Sequence, residues 1–171
     1  MKLWRLILLC LVVLLAGCGY HTPGADTAWV GQDGETLHIA LFANRTAEPY
    51  LDNYVTEMVV QQLSRSRRFE LTEDRQSADL VLEGVVTRFE NSASAFGSDD
   101  RIEDYKVTLE VQVRLVDNGS AKVVWQDELS RSEHYLATID KNQQLEEQAQ
   151  SARLAAARLA EDLHARFYDA F

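Results

Sequence analysis

Tyr105-Lys106-Val107-Thr108-Leu109-Glu110-Val111-Gln112-Val113-Arg114-Leu115 sets an apolar side chain at every second position without a miss. Successive side chains of a strand point to opposite faces, so this stretch predicts a strand with a Val/Leu face inward and a Lys-Thr-Glu-Gln-Arg face toward water. One solvated face is the habit of antiparallel sheets, not parallel ones. Just beyond it, Asp117-Asn118-Gly119-Ser120 carries the Asn-Gly pair that suits a tight hairpin turn. Residues 122–130 are then expected to return as the partner strand, with Val123 and Trp125 on one face. Being in phase with Val123, Trp125 is expected in the core or a half-buried sheet and not as a sugar-stacking platform.

Upstream, residues 36–42 alternate with Leu37, Ile39 and Leu41 on one face, which predicts a first strand. Pro49 suits the first turn of a helix, and Leu51, Val55, Met58, Val59 and Leu63 recur at helical spacing. Arg65, Arg67 and Arg68 follow, where cations complement the negative end of a helix dipole. Residues 69–72 predict a short strand and 79–89 a longer one. At the C-terminus, Asp140 with Gln143 resembles a helix cap. Leu145, Ala149, Ala152, Ala156, Leu159, Leu163, Phe167 and Ala170 then form one stripe, whose alanines let the helix axis lie close to a sheet. The expected fold is α+β: a two-layer sandwich with a mostly antiparallel sheet of four to five strands and two helices on one face.

The N-terminus reads differently. Lys2 and Arg5 precede an apolar run from Leu6 to Leu15, which ends in Leu15-Ala16-Gly17-Cys18. Ten apolar residues are too few to span a bilayer, which takes roughly 20, and the flanks are those of a secretory signal. The final four residues resemble a bacterial lipobox, which implies cleavage before Cys18 and acylation of its thiol and new amine. In such proteins an Asp at the next position holds the lipoprotein at the inner membrane. Gly19 stands there instead, so the resemblance implies the outer membrane. The expected organisation is a signal peptide (1–17), a lipidated flexible tether (18–35) containing Pro23, Gly24 and Gly31, and a single domain (36–171). Cys10 leaves with the leader and Cys18 is capped, so the mature chain offers no thiol chemistry.

The full chain carries a net charge of −10, which becomes −12 once Lys2 and Arg5 are removed with the leader. That sign excludes nucleic acid and electrostatic adhesion to anionic lipid as general modes of binding. A composition 46% hydrophobic, with both helical and strand periodicity, is that of a folded domain and not a disordered tail. His21, His38, His134 and His164 are scattered without metal-ligand spacing, and there is no nucleophile elbow, phosphate loop or dinucleotide turn. No catalysis, metal or cofactor is expected. The acids Asp99-Asp100 and Glu103-Asp104 are expected in a solvated loop, and His38, out of phase with Leu37 and Ile39, at the surface.

Several motifs, in order, resemble the lipopolysaccharide-assembly lipoprotein family, LptE. They are Cys18-Gly19-Tyr20-His21, Ile39-Ala40-Leu41-Phe42-Ala43-Asn44-Arg45-Thr46, Ala78-Asp79-Leu80-Val81-Leu82-Glu83-Gly84 and Asp104-Tyr105-Lys106-Val107, followed by the terminal helix. The resemblance covers essentially the whole mature chain. It implies a non-catalytic, periplasm-facing lipoprotein of the outer membrane, anchored by acyl chains such as palmitate on Cys18. It also implies a seat inside a β-barrel partner, LptD, for lipopolysaccharide transport. The first strand, its helix and Ser64-Arg65-Ser66-Arg67-Arg68-Phe69 also resemble the curli-secretion lipoprotein CsgG and synthase activators of the LpoB type. The channel is disfavoured because no spare segment supplies membrane strands.

Residues 91–101 are expected to form a loop projecting from one end of the sheet. Family members carry a Ser-x-Phe near here, followed by a basic residue implicated in lipopolysaccharide contact. Ser94-Ala95-Phe96 matches, but Gly97 holds the basic position and Arg101 is the nearest cation. Lys141 is the counterpart of a second basic residue before the terminal helix. Phe96, Arg101 and Lys141 are therefore the candidate contacts for lipopolysaccharide or a partner, with solvated surface charge as the alternative for both cations.

Overall fold

The computed structural model describes residues 34–65 and 68–170; the leader, Cys18, residues 19–33 and Arg67 lie outside the described residues. The elements run β1 (Glu35–Ile39), β2 (Ala43–Asn44), α1 (Leu51–Ser64), β3 (Phe69–Leu71), β4 (Leu80–Phe96), β5 (Ile102–Asp117), β6 (Val123–Leu136) and α2 (Lys141–Ala170). Glu35, assigned above to the tether, already belongs to β1. Two helices and a six-stranded sheet make the α+β arrangement expected, with more strands than foreseen. The sheet order is β3-β1-β4-β5-β6, and β2 pairs with β4 beyond the end of β1. β4, β5 and β6 are antiparallel neighbours. β1 runs parallel to both β3 and β4, as β2 does to β4.

The long alternation behaves as read. Val107, Leu109, Val111, Val113 and Leu115 are all buried, while Gln112 and Arg114 between them are exposed. Each fully buried Leu or Val contributes roughly 1.5–3 kcal/mol relative to exposure. Their neighbours on β4 are Phe89, Val86 and Leu82, and on β6 Leu129 and Trp125. Trp125 is half-buried, its ring edge-on to Phe167 of α2 at 5.1 Å. Leu51, Val55, Val59 and Leu63 of α1 join the same core as Ala152, Ala155, Ala156, Leu159, Leu163 and Phe167 of α2.

Several boundaries differ from the sequence reading, each for a local reason. β1 ends at Ile39, the chain steps aside over residues 40–42, and the phase flips: Phe42 is buried and Leu41 is 64% exposed. Pro49 precedes the helix instead of entering it; Tyr50 is the N-cap at φ 66° and the turn is held by Asn44, Thr46 and Glu48. Arg65 is the C-cap and the last turn of α1 holds no cation, while Arg68 lies over the ring of Tyr168. Asp117 and Lys122 close the hairpin with a longer turn in which Ala121, not Gly119, is left-handed. β4 continues to Phe96 and β6 to Leu136, so most of the expected 91–101 loop is strand. Leu145 and Ala170 are exposed and leave the inner stripe of α2. Asp140 does cap that helix, its carboxylate accepting from the N–H groups of Asn142 and Gln143 at 2.7 and 3.2 Å.

Candidate functional site

Both helices lie on one face of the sheet, so the other face of β4, β5 and β6 is left to solvent among the described residues. The pleat and register decide what it presents. Successive cross-strand rows are Glu83-Arg114-Gln126, Val85-Gln112-Glu128, Arg88-Glu110-Ser130, Glu90-Thr108-Ser132 and Ser92-Lys106-His134. An open antiparallel sheet face is stabilised by such pairs. Arg114 donates to Glu83 at 2.8 Å, Arg88 to Glu110 at 3.3 Å, and the Thr108 and Ser132 hydroxyls lie 2.9 Å apart. Toward the far end, the Asp104 carboxylate accepts from Ser94 and from His134 Nδ1, both at 2.7 Å. The His134 bond, then that of Ser94, holds Asp104 below its ordinary value. Asp104 is thus part of a strand row and not of a solvated loop. Ser94 and Asp104 both reach the same ring nitrogen, so the trio lacks the relay of a nucleophile, base and orienting acid.

At the other end, this face is concave, with a volume of about 830 Å³. Arg75, from the segment 72–79, lines it, and Val81 of β4 is fully buried. Asn118 fixes that segment, its amide donating to the carbonyls of Arg75 and Ala78 at 2.8 and 2.9 Å. The Asp79 carboxylate receives the Thr36 hydroxyl and N–H at 2.6 and 2.9 Å, which hold it below its ordinary value. Arg75 is thereby brought to Glu83, which Arg114 holds from the other side. Arg75 foremost, with Arg114 and against partial burial, keeps the Glu83 carboxyl below its ordinary range. Leu41 and Arg45 complete the rim.

The sequence-derived candidates lie at the opposite end. Phe96 is 62% exposed beside Ile102, and Arg101 in the turn between β4 and β5 pairs with Asp99 at 2.9 Å. Lys141 is the exposed first residue of α2. The Ala137 N–H donates to Glu103 at 3.0 Å, which brings the β6–α2 connection to this end. The three residues share an end of the sheet. Leu136, Ile139 and Leu145 are also exposed near it and were missed, Leu145 because its spacing fits the inner stripe. His38, expected at the surface, is half-buried and donates to the Thr72 carbonyl at 3.1 Å. Among the described residues no cluster of His, Cys, Asp and Glu could hold a metal, and no helix is long and apolar enough to cross a membrane.

A family model described as LptE, lipopolysaccharide-assembly, matches residues 34–170, the whole described domain. The chain belongs to the LptE family. No curated protein matches the sequence. Among solved structures, a protein of Chlamydia trachomatis superposes with a TM-score of 0.57 at 15% identity, covering 78% of this chain and 95% of that one. A Xanthomonas campestris protein gives 0.56 at 14% identity over 78% of this chain and 84% of its own. The rare lipoprotein B of Shewanella oneidensis gives 0.50 at 14% identity over 79% and 98%. At such identities these likenesses describe the fold. For an LptE-family chain the general role is that of an envelope lipoprotein in lipopolysaccharide assembly, a family of non-enzymatic proteins.

Proposed function

We propose that this chain is an outer-membrane lipoprotein, anchored through Cys18 and facing the periplasm, that plugs the lumen of an LptD-type β-barrel. There it would keep the translocon competent to pass lipopolysaccharide to the cell surface. The observation that supports this is the uncovered face of β4, β5 and β6, with its polar cross-strand rows. The lumen of an outer-membrane barrel is polar and hydrated, so such a face meets its wall without losing hydrogen bonds. Phe96, Arg101 and Lys141 belong to this proposal as contacts at the end of the plug.

Photo-crosslinking tests it. A crosslinker replaces Thr108 or Gln112 on the open face, or Glu57 on α1, in the full lipidated chain within its native envelope. Mass spectrometry of the mature N-terminus checks the acylated Cys18. Adducts to a large β-barrel are expected from positions 108 and 112 and not from 57. Adducts from those positions to a peptidoglycan synthase would overturn the plug in favour of an LpoB-like activator.

A further inference from the structure

We propose that the concavity ringed by Arg45, Arg75 and Arg114 binds the phosphorylated head of an amphiphile, with Leu41 and Val85 as the apolar seat beside it. The inference deepens the reading above, because it places a ligand site on the face assigned to the lumen. In a chain of net charge −10, three arginines from three separate segments line one hollow. The acids that line it are Glu83, Asp127 and Glu128. Two of them are engaged: Glu83 lies between Arg75 and Arg114, and Asp127 pairs with Arg166 at 2.8 Å.

The cations keep donors to spare. Arg75 gives Glu83 its Nη2 and Arg114 gives its Nε and Nη2. Arg75 Nε and Nη1 and Arg114 Nη1 thus remain for a ligand. Arg45 forms no ion pair with any described residue, and its backbone is fixed by its N–H donating to Val86 at 3.0 Å. Planar guanidinium forks suit phosphate oxygens, and several oxygens on one centre suit three forks better than a single carboxylate does. The step between β1 and β2 turns Leu41 outward at 64% exposure while Phe42 turns in. An exposed leucine beside cations calls for a ligand that is both apolar and anionic. A volume of about 830 Å³ lies in the range of roughly 300–1,000 Å³ usual for small-molecule sites.

The test uses the full lipidated protein in neutral detergent micelles. Probes are diphosphorylated lipid A, the same lipid with its phosphates removed, phosphatidylglycerol and inorganic phosphate. Arg45→Glu is expected to weaken binding of diphosphorylated lipid A at least tenfold, and Arg45→Ala several-fold. Arg65→Glu, on the helix layer, leaves it within twofold. Leu41→Ser should weaken the lipid without changing competition by inorganic phosphate. Phosphatidylglycerol binding as tightly as lipid A supports the site and assigns its ligand to phospholipid. Dephosphorylated lipid A binding equally well overturns the proposal. So does loss of binding in Arg101→Glu/Lys141→Glu with Arg45→Glu unaffected, or a crosslink from position 41 to a barrel segment with no effect of Arg45→Glu on lipid. Co-purification of the barrel is expected to survive Arg45→Glu. A barrel that never co-purifies, beside intact lipid binding, would sink the plug and leave this site standing.

Discussion

Gly84 sits where the ring of Phe42 crosses the sheet. A Cβ at this position would lie 2.0 Å from the Phe42 ring, and Phe42 is itself fully packed, 1% exposed, so it has nowhere to retreat. Gly84→Ala is expected to destabilise the domain by about 2–3 kcal/mol, the cost of forcing an overpacked core apart. Gly97→Ala meets Glu103 Oε1 at 2.5 Å, but that is the free end of an exposed side chain that can swing away. Denaturant unfolding of the two variants should separate them clearly; equal midpoints would mean that Phe42 does not pin the step between β1 and β2. The same residue explains why the periodicity of the first strand overruns its end at Ile39. Leu37, Ile39 and Leu41 keep phase on paper, yet the chain must lift off the sheet to lay Phe42 over a glycine, and nothing in residues 36–42 alone announces a glycine 42 positions away.

At the scale of elements, α2 and β6 meet across a polar seam. Arg166 pairs with Asp127, Asp162 with Arg131 and Arg158 with Glu133, one turn of helix apart. Ala156→Glu, on the fully buried stripe, is expected to cost several kcal/mol, as an unpaired charge against the sheet should. The alternation of α2 alone would make Arg158→Glu neutral. The structure instead pairs Arg158 with Glu133 at 2.8 Å, and Glu133 is only 7% exposed. Since the arginine itself is half-exposed, its reversal is expected to cost about 2 kcal/mol, below the range for a fully buried pair. Most of that cost should vanish in a Glu133→Gln background; thermal unfolding of the four proteins closes the cycle, and strict additivity would mean the pair is not coupled. This seam is also why the expected end of β6 falls at residue 130, although the strand runs to Leu136. Asp127, Arg131 and Glu133 point inward, so the period of two disappears from hydropathy although it persists in the backbone. β4 is obscured in another way: a register shift between Val86 and Arg88 breaks its phase, and Asn91 then faces inward to Tyr135 and Gln148. β5, with neither complication between Tyr105 and Leu115, is legible over that stretch, but its first residues, Ile102 to Asp104, carry acids that read as loop.

For the whole molecule, the layer order and the helices' shared face followed from periodicity, whereas the concavity did not. Leu41, Arg45, Arg75 and Arg114 are brought together only by the step after β1 and by segment 72–79, which long-range hydrogen bonds hold in place. The candidate contacts at the far end, by contrast, came from motif likeness and do share one end of the sheet. The mixed sheet has a further consequence, for the order in which the fold breathes. β4, β5 and β6 follow one another and close short hairpins, but Thr36 of β1 reaches Asp79 across 43 residues, and distant closures are the dearer ones in chain entropy. The parallel edge of β1 and β3 is therefore expected to open as a unit of low stability while the hairpins stay shut. Hydrogen–deuterium exchange should show amides of β1 and β3 exchanging well before those of β5, and uniform uptake would refute it. Because segment 72–79 hangs between that edge and β4, each opening dismantles the arginine-lined hollow and spares the polar face, so a ligand held there would slow exchange in strands it never touches.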